Sequence, residues 1–166
     1  MYGIKDMKVH HVNMSFGLFH RKAALRDVAQ EAATWAVCER PGASFDAVRM
    51  QEFQALFTFI KERGIPMTTP VLTACDGTTY SMRFKVDAQH AALLADAPGV
   101  TIEHTPARTM RVHAFDGVGV YATDGAIRRE LAAIRESGVD VGAYFVAQYN
   151  SPFALYRHNE IWLPHG

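Results

Sequence analysis

Eight histidines, two cysteines and one carboxylate close to a tryptophan are the groups in this chain with the plainest capacity for chemistry. The histidines are His10, His11, His20, His90, His104, His113, His158 and His165. None pairs with another at helical i, i+4 spacing across an acid, so a tetrahedral zinc site would need ligands gathered from scattered positions. Cys38 and Cys75 belong to no CxxC pattern, which predicts two buried free thiols and a reducing compartment. Glu160 and Trp162 stand two apart in the string NEIWL. In a strand that spacing puts both on one face, where a carboxylate beside an indole accepts a cation or acts as a general base. The plainer alternative has Trp162 in the core and Glu160 tied to a backbone donor. GxSxG, HExxH and Walker strings are absent, and the glycine-rich FDGVGVYATDG lacks dinucleotide-fingerprint spacing.

The elements that must position these groups follow from periodicity. Val48, Phe53, Leu56, Phe57 and Ile60 form one apolar stripe, predicting a helix over Phe45–Arg63, with Ser44 as N-cap and Gly64 just past its end. The run Pro70–Cys75, the turn Asp76-Gly77 and the alternating Tyr80, Met82, Phe84 and Val86 predict a hairpin. Residues 88–100 read as a connection holding one short helical turn. The order then repeats. A strand at Arg108–Phe115 precedes a helix with the stripe Ile127, Leu131, Ile134, capped by Asp124 and ended by Gly138, and strands follow at Val141–Tyr149 and His158–Leu163. In the strand Arg108–Phe115, Met110, Val112 and Ala114 point one way and Arg111, His113 and Phe115 the other. The predicted fold class is therefore α+β, two strand–helix–strand–strand units in one domain over residues 1–166, with halves of about 8–86 and 100–164. Near the start, Val12, Met14 and Phe16 alternate like a strand. Leu25, Val28, Ala32 and Trp35 fall on one helical face, so local propensity favours a helix at 22–37.

Seventeen basic residues balance seventeen acidic ones, with no basic run, which argues against nucleic acid or an anionic membrane surface as partner. The opening Met1–Lys8 is too polar for a secretory segment and no apolar run spans a bilayer, so the expected compartment is the cytoplasm. Oligomeric state is left open.

The strings FQALFTFI (53–60), IPMTTPVLT (65–73), FDG (115–117), YNSPF (149–153) and NEIWL (159–163) occur in an order and spacing that resemble the SOUL haem-binding protein family. Met67, Thr68, Pro70 and Val71 fill its MTxPV pattern, Tyr149, Asn150 and Pro152 its YN.P loop, and Asn159–Leu163 its final strand. The resemblance covers residues 53–163. It implies a distorted antiparallel β-barrel of two βαββ halves with two main helices, a fold shared with GyrI-like small-molecule-binding domains. It also implies haem or another tetrapyrrole as ligand, carried or buffered in a cleft between Arg49–Ile60 and Tyr149–His158. Three departures stand out. Ala29 occupies the position of a proposed iron-ligating histidine of some relatives, the KERG connection is shorter than usual, and the family places two strands where residues 22–38 read locally as helix. Strand is the expectation for 33–38, with 22–31 open.

On that resemblance Phe53, Phe57, Tyr149, Phe153 and Tyr156 would line a porphyrin face, and Arg157, with Arg83 or Lys85, would meet propionates. His158 would be the axial iron ligand, with His113 a weaker candidate. A porphyrin removes several hundred square ångströms of apolar surface from water, so at roughly 25 cal/mol per Å² packing alone supplies micromolar binding without iron ligation. The alternative is a GyrI-like binding protein or hydrolase in which Glu160 activates water or steadies a cation, with Tyr80 or Tyr149 as acid partner. Under that reading alone Glu160 is catalytic.

Overall fold

The computed structural model describes residues 23–119, 121–151 and 154–165. The alternating Val12, Met14 and Phe16, the histidines at 10, 11 and 20, and Phe153 with Pro152 lie outside the described residues. Eight strands form one antiparallel sheet: β1 (Leu25–Gln30), β2 (Ala33–Pro41), β3 (Val71–Asp76), β4 (Thr79–Val86), β5 (Thr101–Thr105), β6 (Arg108–Val118), β7 (Tyr144–Gln148) and β8 (Tyr156–Pro164). Two α-helices, α1 (Phe45–Glu62) and α2 (Asp124–Glu136), and a 3-10 turn over Ala88–Leu93 complete the order. The strands run β1-β6-β8-β7-β3-β4-β2-β5 across the sheet, which curls into a half-barrel.

This order shows why two units make one sheet. Within each half the strand before the helix pairs with the last strand, β2 with β4 and β6 with β8, and the halves join where β3 pairs with β7. Each half also lends its first strand to the other: β1 pairs with β6, and β5 with β2.

Local chemistry sets the helix ends as the residues predict. Ser44 accepts from the Ala47 N–H at 3.2 Å. At the other end Gly64 has φ of 64°, and the Gly64 and Ile65 N–H groups return to the Lys61 and Ile60 carbonyls, a Schellman closure whose Ile60–Ile65 pair is buried. One cap differs from expectation. Thr123, not Asp124, is the N-cap of α2, accepting from Ala126 N–H at 3.2 Å. Asp124 instead reaches across to α1 and accepts from the Phe45 and Asp46 N–H groups, each at 3.0 Å, while Asp46 accepts from the Asp124 N–H at 3.0 Å. Each helix thus puts a carboxylate on the other's positive end.

The segment with helical propensity folds as β1 and β2. Central β2 is bonded on both sides, by β4 and β5, so its backbone is satisfied only as a strand. It buries Ala36 and Cys38 on the helix-bearing face and Trp35 and Val37 on the other. A helix would bury one stripe only; the strand buries both faces, and context overrides propensity.

The sheet divides the core. On one face α1 packs on β2 and β4 through Leu56, Phe59 and Ile60, and α2 packs through Ile127, Leu131 and Ile134 on Phe115, Val146 and Ile161. On the other, Trp35, Leu72, Met110, Val112, Phe145 and Trp162 form a third apolar cluster. Cys38 and Cys75 are buried free thiols. No helix among the described residues is long and apolar enough to cross a membrane.

Candidate functional site

Strand alternation in β8 places Glu160 and Trp162 on the face away from the helices, while Ile161 and Leu163 pack under α2. Glu160 is 2 % exposed, yet both its oxygens are served. Tyr149 Oη donates to Oε2 at 2.6 Å and Trp162 Nε1–H donates to the same oxygen at 2.7 Å. Arg26, from edge strand β1, pairs with Oε1, and His158 Nε2 lies 3.1 Å from it. Burial opposes ionisation here, but the Tyr149, Trp162 and His158 hydrogen bonds and the Arg26 charge outweigh it, holding the Glu160 carboxyl below its ordinary range. The same contact works against Tyr149, whose phenol is raised first by burial and then by its bond to Glu160.

His158 continues the chain. Asp116 is its cross-strand partner on β6, and its Nδ1 lies 2.6 Å from Asp116 Oδ1. The ring also packs against Tyr149, centroids 4.7 Å apart. Each nitrogen of His158 therefore faces a carboxylate oxygen, so an iron bound there would have to displace Asp116 or Glu160. Tyr80 stands on the helix-bearing face against the α2 cluster, because alternation groups it with Met82 and Phe84. The tyrosine that meets Glu160 is Tyr149. His113 also points towards the helices, where Nε2 meets Glu130 at 3.0 Å and Nδ1 the Ala24 carbonyl at 3.3 Å.

A second set of expected residues gathers on α1. Phe53 stacks on Phe57 at 5.8 Å between centroids and meets Phe84 edge-on at 5.5 Å. With Met50 three residues before Phe53, these side chains form one stripe, of which Met50 and Phe57 are exposed. Arg49 donates to the Ala122 carbonyl at 3.3 Å, tying α1 to the loop before α2. That loop meets the segment before β8: Gly119 N–H bonds the Leu155 carbonyl at 2.8 Å, and the Arg157 guanidinium lies 4.0 Å from the Tyr121 ring centroid. Tyr121, Leu155 and Tyr156 are exposed. The structure thus parts the predicted residues. Phe53, Phe57 and Arg157 belong to the helix-bearing side, whereas Tyr149, His158 and Glu160 meet on the opposite face. Arg83 pairs with Glu103 at 2.6 Å and lies over Phe145.

Four participants were not singled out from sequence. Met50 was within reach, since it continues the Phe53–Phe57 spacing. Arg26, Asp116 and Tyr121 join only through strand pairing and loop contacts that no local pattern reports.

A porphyrin needs an apolar plane and cations at its edge. The Met50–Phe53–Phe57 stripe offers the apolar surface, and Arg49 stands one turn before Phe53 on the same helix, whereas Arg157 is 7 % exposed beside Tyr121. Among the described residues no group of three or more His, Cys, Asp or Glu side chains is placed to hold a metal ion.

The sequence profile of the SOUL heme-binding protein family matches residues 20–164. No curated protein sequence matches the chain. Solved structures share the fold at low identity. The crystal structure of the EcmrR C-terminal domain aligns with TM-score 0.58 and 11% identity, over 86% of this chain and 96% of that one. The structure of SAV2435 bound to tetraphenylphosphonium aligns with TM-score 0.55 and 11% identity, over 85% and 93%. EcmrR in its complex with DNA aligns with TM-score 0.61 and 11% identity, over 86% of this chain but 56% of that one. These likenesses are likenesses of fold.

Proposed function

The chain belongs to the SOUL heme-binding protein family, and from that premise we propose that it binds haem or a related tetrapyrrole, as a carrier or buffer, against α1 and the segment that leads into β8. The observation that carries this reading is the stripe of Met50, Phe53 and Phe57: two large apolar side chains left in water beside a third, facing solvent rather than core. Laying a flat apolar molecule on them recovers transfer energy at roughly 25 cal/mol per Å². Arg49, one turn before Phe53 on α1, brings a charge that suits a propionate. Haem would supply its own iron chemistry when bound; the chain's part is to hold the ring and keep it from water. Absorbance titration of haem into the purified protein should give a saturable 1:1 Soret shift that His158→Ala leaves unchanged, since His158 is committed to Asp116 and Glu160. A linear, non-saturating response would end the proposal. A Soret band altered by His158→Ala would instead keep the carrier and make His158 the iron ligand.

A second reading has its own observation, the buried Glu160 bonded by Tyr149 and Trp162. A carboxylate kept ionised between aromatic walls suits a lipophilic cation, the kind of molecule bound in the SAV2435 structure. Four donors already occupy its two oxygens, which supports a counter-ion role over that of a base. Titration with tetraphenylphosphonium should then show binding that Glu160→Gln weakens at least tenfold; equal affinity in both proteins would remove this reading and leave the haem proposal untouched.

A further inference from the structure

The flank of α1 away from Phe53 and Phe57 borders a cleft of about 700 Å³, within the range usual for small-molecule sites. Ala55, Phe59, Ala97, Pro98 and Val100 make its apolar surface, and Arg40 and Arg63 are its cations. The far wall is a built turn. Ala97 and Val100 exchange both backbone hydrogen bonds at 2.9 Å, Gly99 takes φ of 77°, and Asp96 accepts from the Ile102 N–H at 2.8 Å. The near wall is equally fixed, since the Arg63 guanidinium lies 3.8 Å from the Phe59 ring centroid and donates to the Phe59 carbonyl at 3.1 Å.

Buried polar atoms in the cleft wall and next to it make no hydrogen bond among the described residues. They are Arg40 Nε in the lining and, outside the lining and three residues before Ala55 on α1, both oxygens of Glu52, a residue 0 % exposed. Unmade hydrogen bonds of buried charged groups are costly, and a bound ligand is one way to complete them. Against the two guanidiniums the lining carries one carboxylate, Glu62, which is exposed and stands 3.9 Å from Arg63. The excess is positive.

We propose that this cleft binds an amphipathic organic anion, its carboxylate taken by Arg40 and Arg63 and its apolar body laid along Phe59, Val100 and Pro98. The fork of a guanidinium matches a carboxylate edge, and the Pro98–Gly99 turn supplies a rigid wall for the hydrocarbon part. Glu52 deepens the preference. Burial raises its pKa to about 7 while Arg40 and the Met82 backbone pull the other way, so near neutrality it supplies Arg40 with only a partial counter-charge. This site is separate from the proposed haem surface, and the two can fail independently.

Decanoate is a suitable probe, with 1-decanol as its uncharged counterpart, measured by isothermal titration on the full chain. Decanoate should bind 1:1 and at least tenfold more tightly than 1-decanol. Arg40→Gln should cost tenfold or more. Because that change could also disturb Glu52, Thr58→Trp, at the exposed mouth of the cleft, gives an independent block and should weaken decanoate equally while leaving the haem titration unchanged. Equal binding of acid and alcohol, wild-type decanoate affinity in Thr58→Trp, or no binding at all would overturn the proposal.

Discussion

At the scale of single residues, the two buried glutamates show how surroundings choose opposite fates for one functional group. Glu160 is ringed by donors and kept ionised, so its contribution to stability is present above the ordinary carboxylate range and is lost as pH falls through its depressed folded pKa. Glu52 is desolvated, the Met82 backbone and the Arg40 charge offset this only in part, and its pKa rises from 4.5 to about 7. Its folded pKa lies above its unfolded one, so its favourable contribution is complete below about pH 4.5 and is lost as pH rises through about 7. At 1.36 kcal/mol per unit this is on the order of 3 kcal/mol by pH 8. Glu52→Gln should therefore unfold at a urea midpoint that changes little between pH 5 and pH 8, whereas the wild type loses stability over that interval. An unchanged pH dependence in the variant would show that Glu52 is not the group responsible. Neither fate was visible in the sequence. Glu160 was singled out by Trp162 two places on, but its partner Arg26 comes from another strand, as does Asp116, the partner of His158, and Glu52 sat unnoticed in a helix whose polar positions look alike until packing decides which is buried.

At the scale of elements, most boundaries were legible because local chemistry sets them. Ser44 and Gly64 mark the ends of α1, and Asp76-Gly77 marks the β3–β4 hairpin, where Gly77 takes φ of 61°. The exceptions arise where one element answers another. Residues 22–37 carry a helical stripe, yet β1 and β2 form because β6, β4 and β5 supply hydrogen-bonding neighbours that a sequence window cannot see. Asp124 looked like the cap of its own helix and instead caps α1, since the two N-termini meet. Its carboxyl is held below the ordinary range: burial opposes this, but the Asp46 backbone, Ser44 hydroxyl and Phe45 backbone bonds prevail. Asp124→Ala should cost about 1–2 kcal/mol in chemical denaturation, and Asp124→Asn, which keeps an acceptor oxygen, less. Equal loss in both variants would mean that charge rather than the cap hydrogen bonds matters here.

At the scale of the whole molecule, the duplication yields one curled sheet with two chemically different faces. The helix-bearing face presents the Met50–Phe53–Phe57 stripe and, on the other flank of α1, the cleft lined by Arg40 and Arg63; the opposite face holds Glu160 and its donors. The repeat of strand, helix, strand, strand was readable from turn and stripe signals, while the exchange of β1 and β5 between halves was not, because each pairs outside its own unit. That exchange brings Arg26 to Glu160, and the sheet itself separates the Tyr149–His158 group from the Phe53–Phe57 group, although a linear reading placed all four in one groove. If the exposed stripe of α1 rather than the Glu160 face receives the tetrapyrrole, haem affinity measured in parallel should fall at least tenfold, about 1.4 kcal/mol, in Phe57→Asp and stay at the wild-type value in Glu160→Gln; the reverse pattern would put the ligand at Glu160 instead.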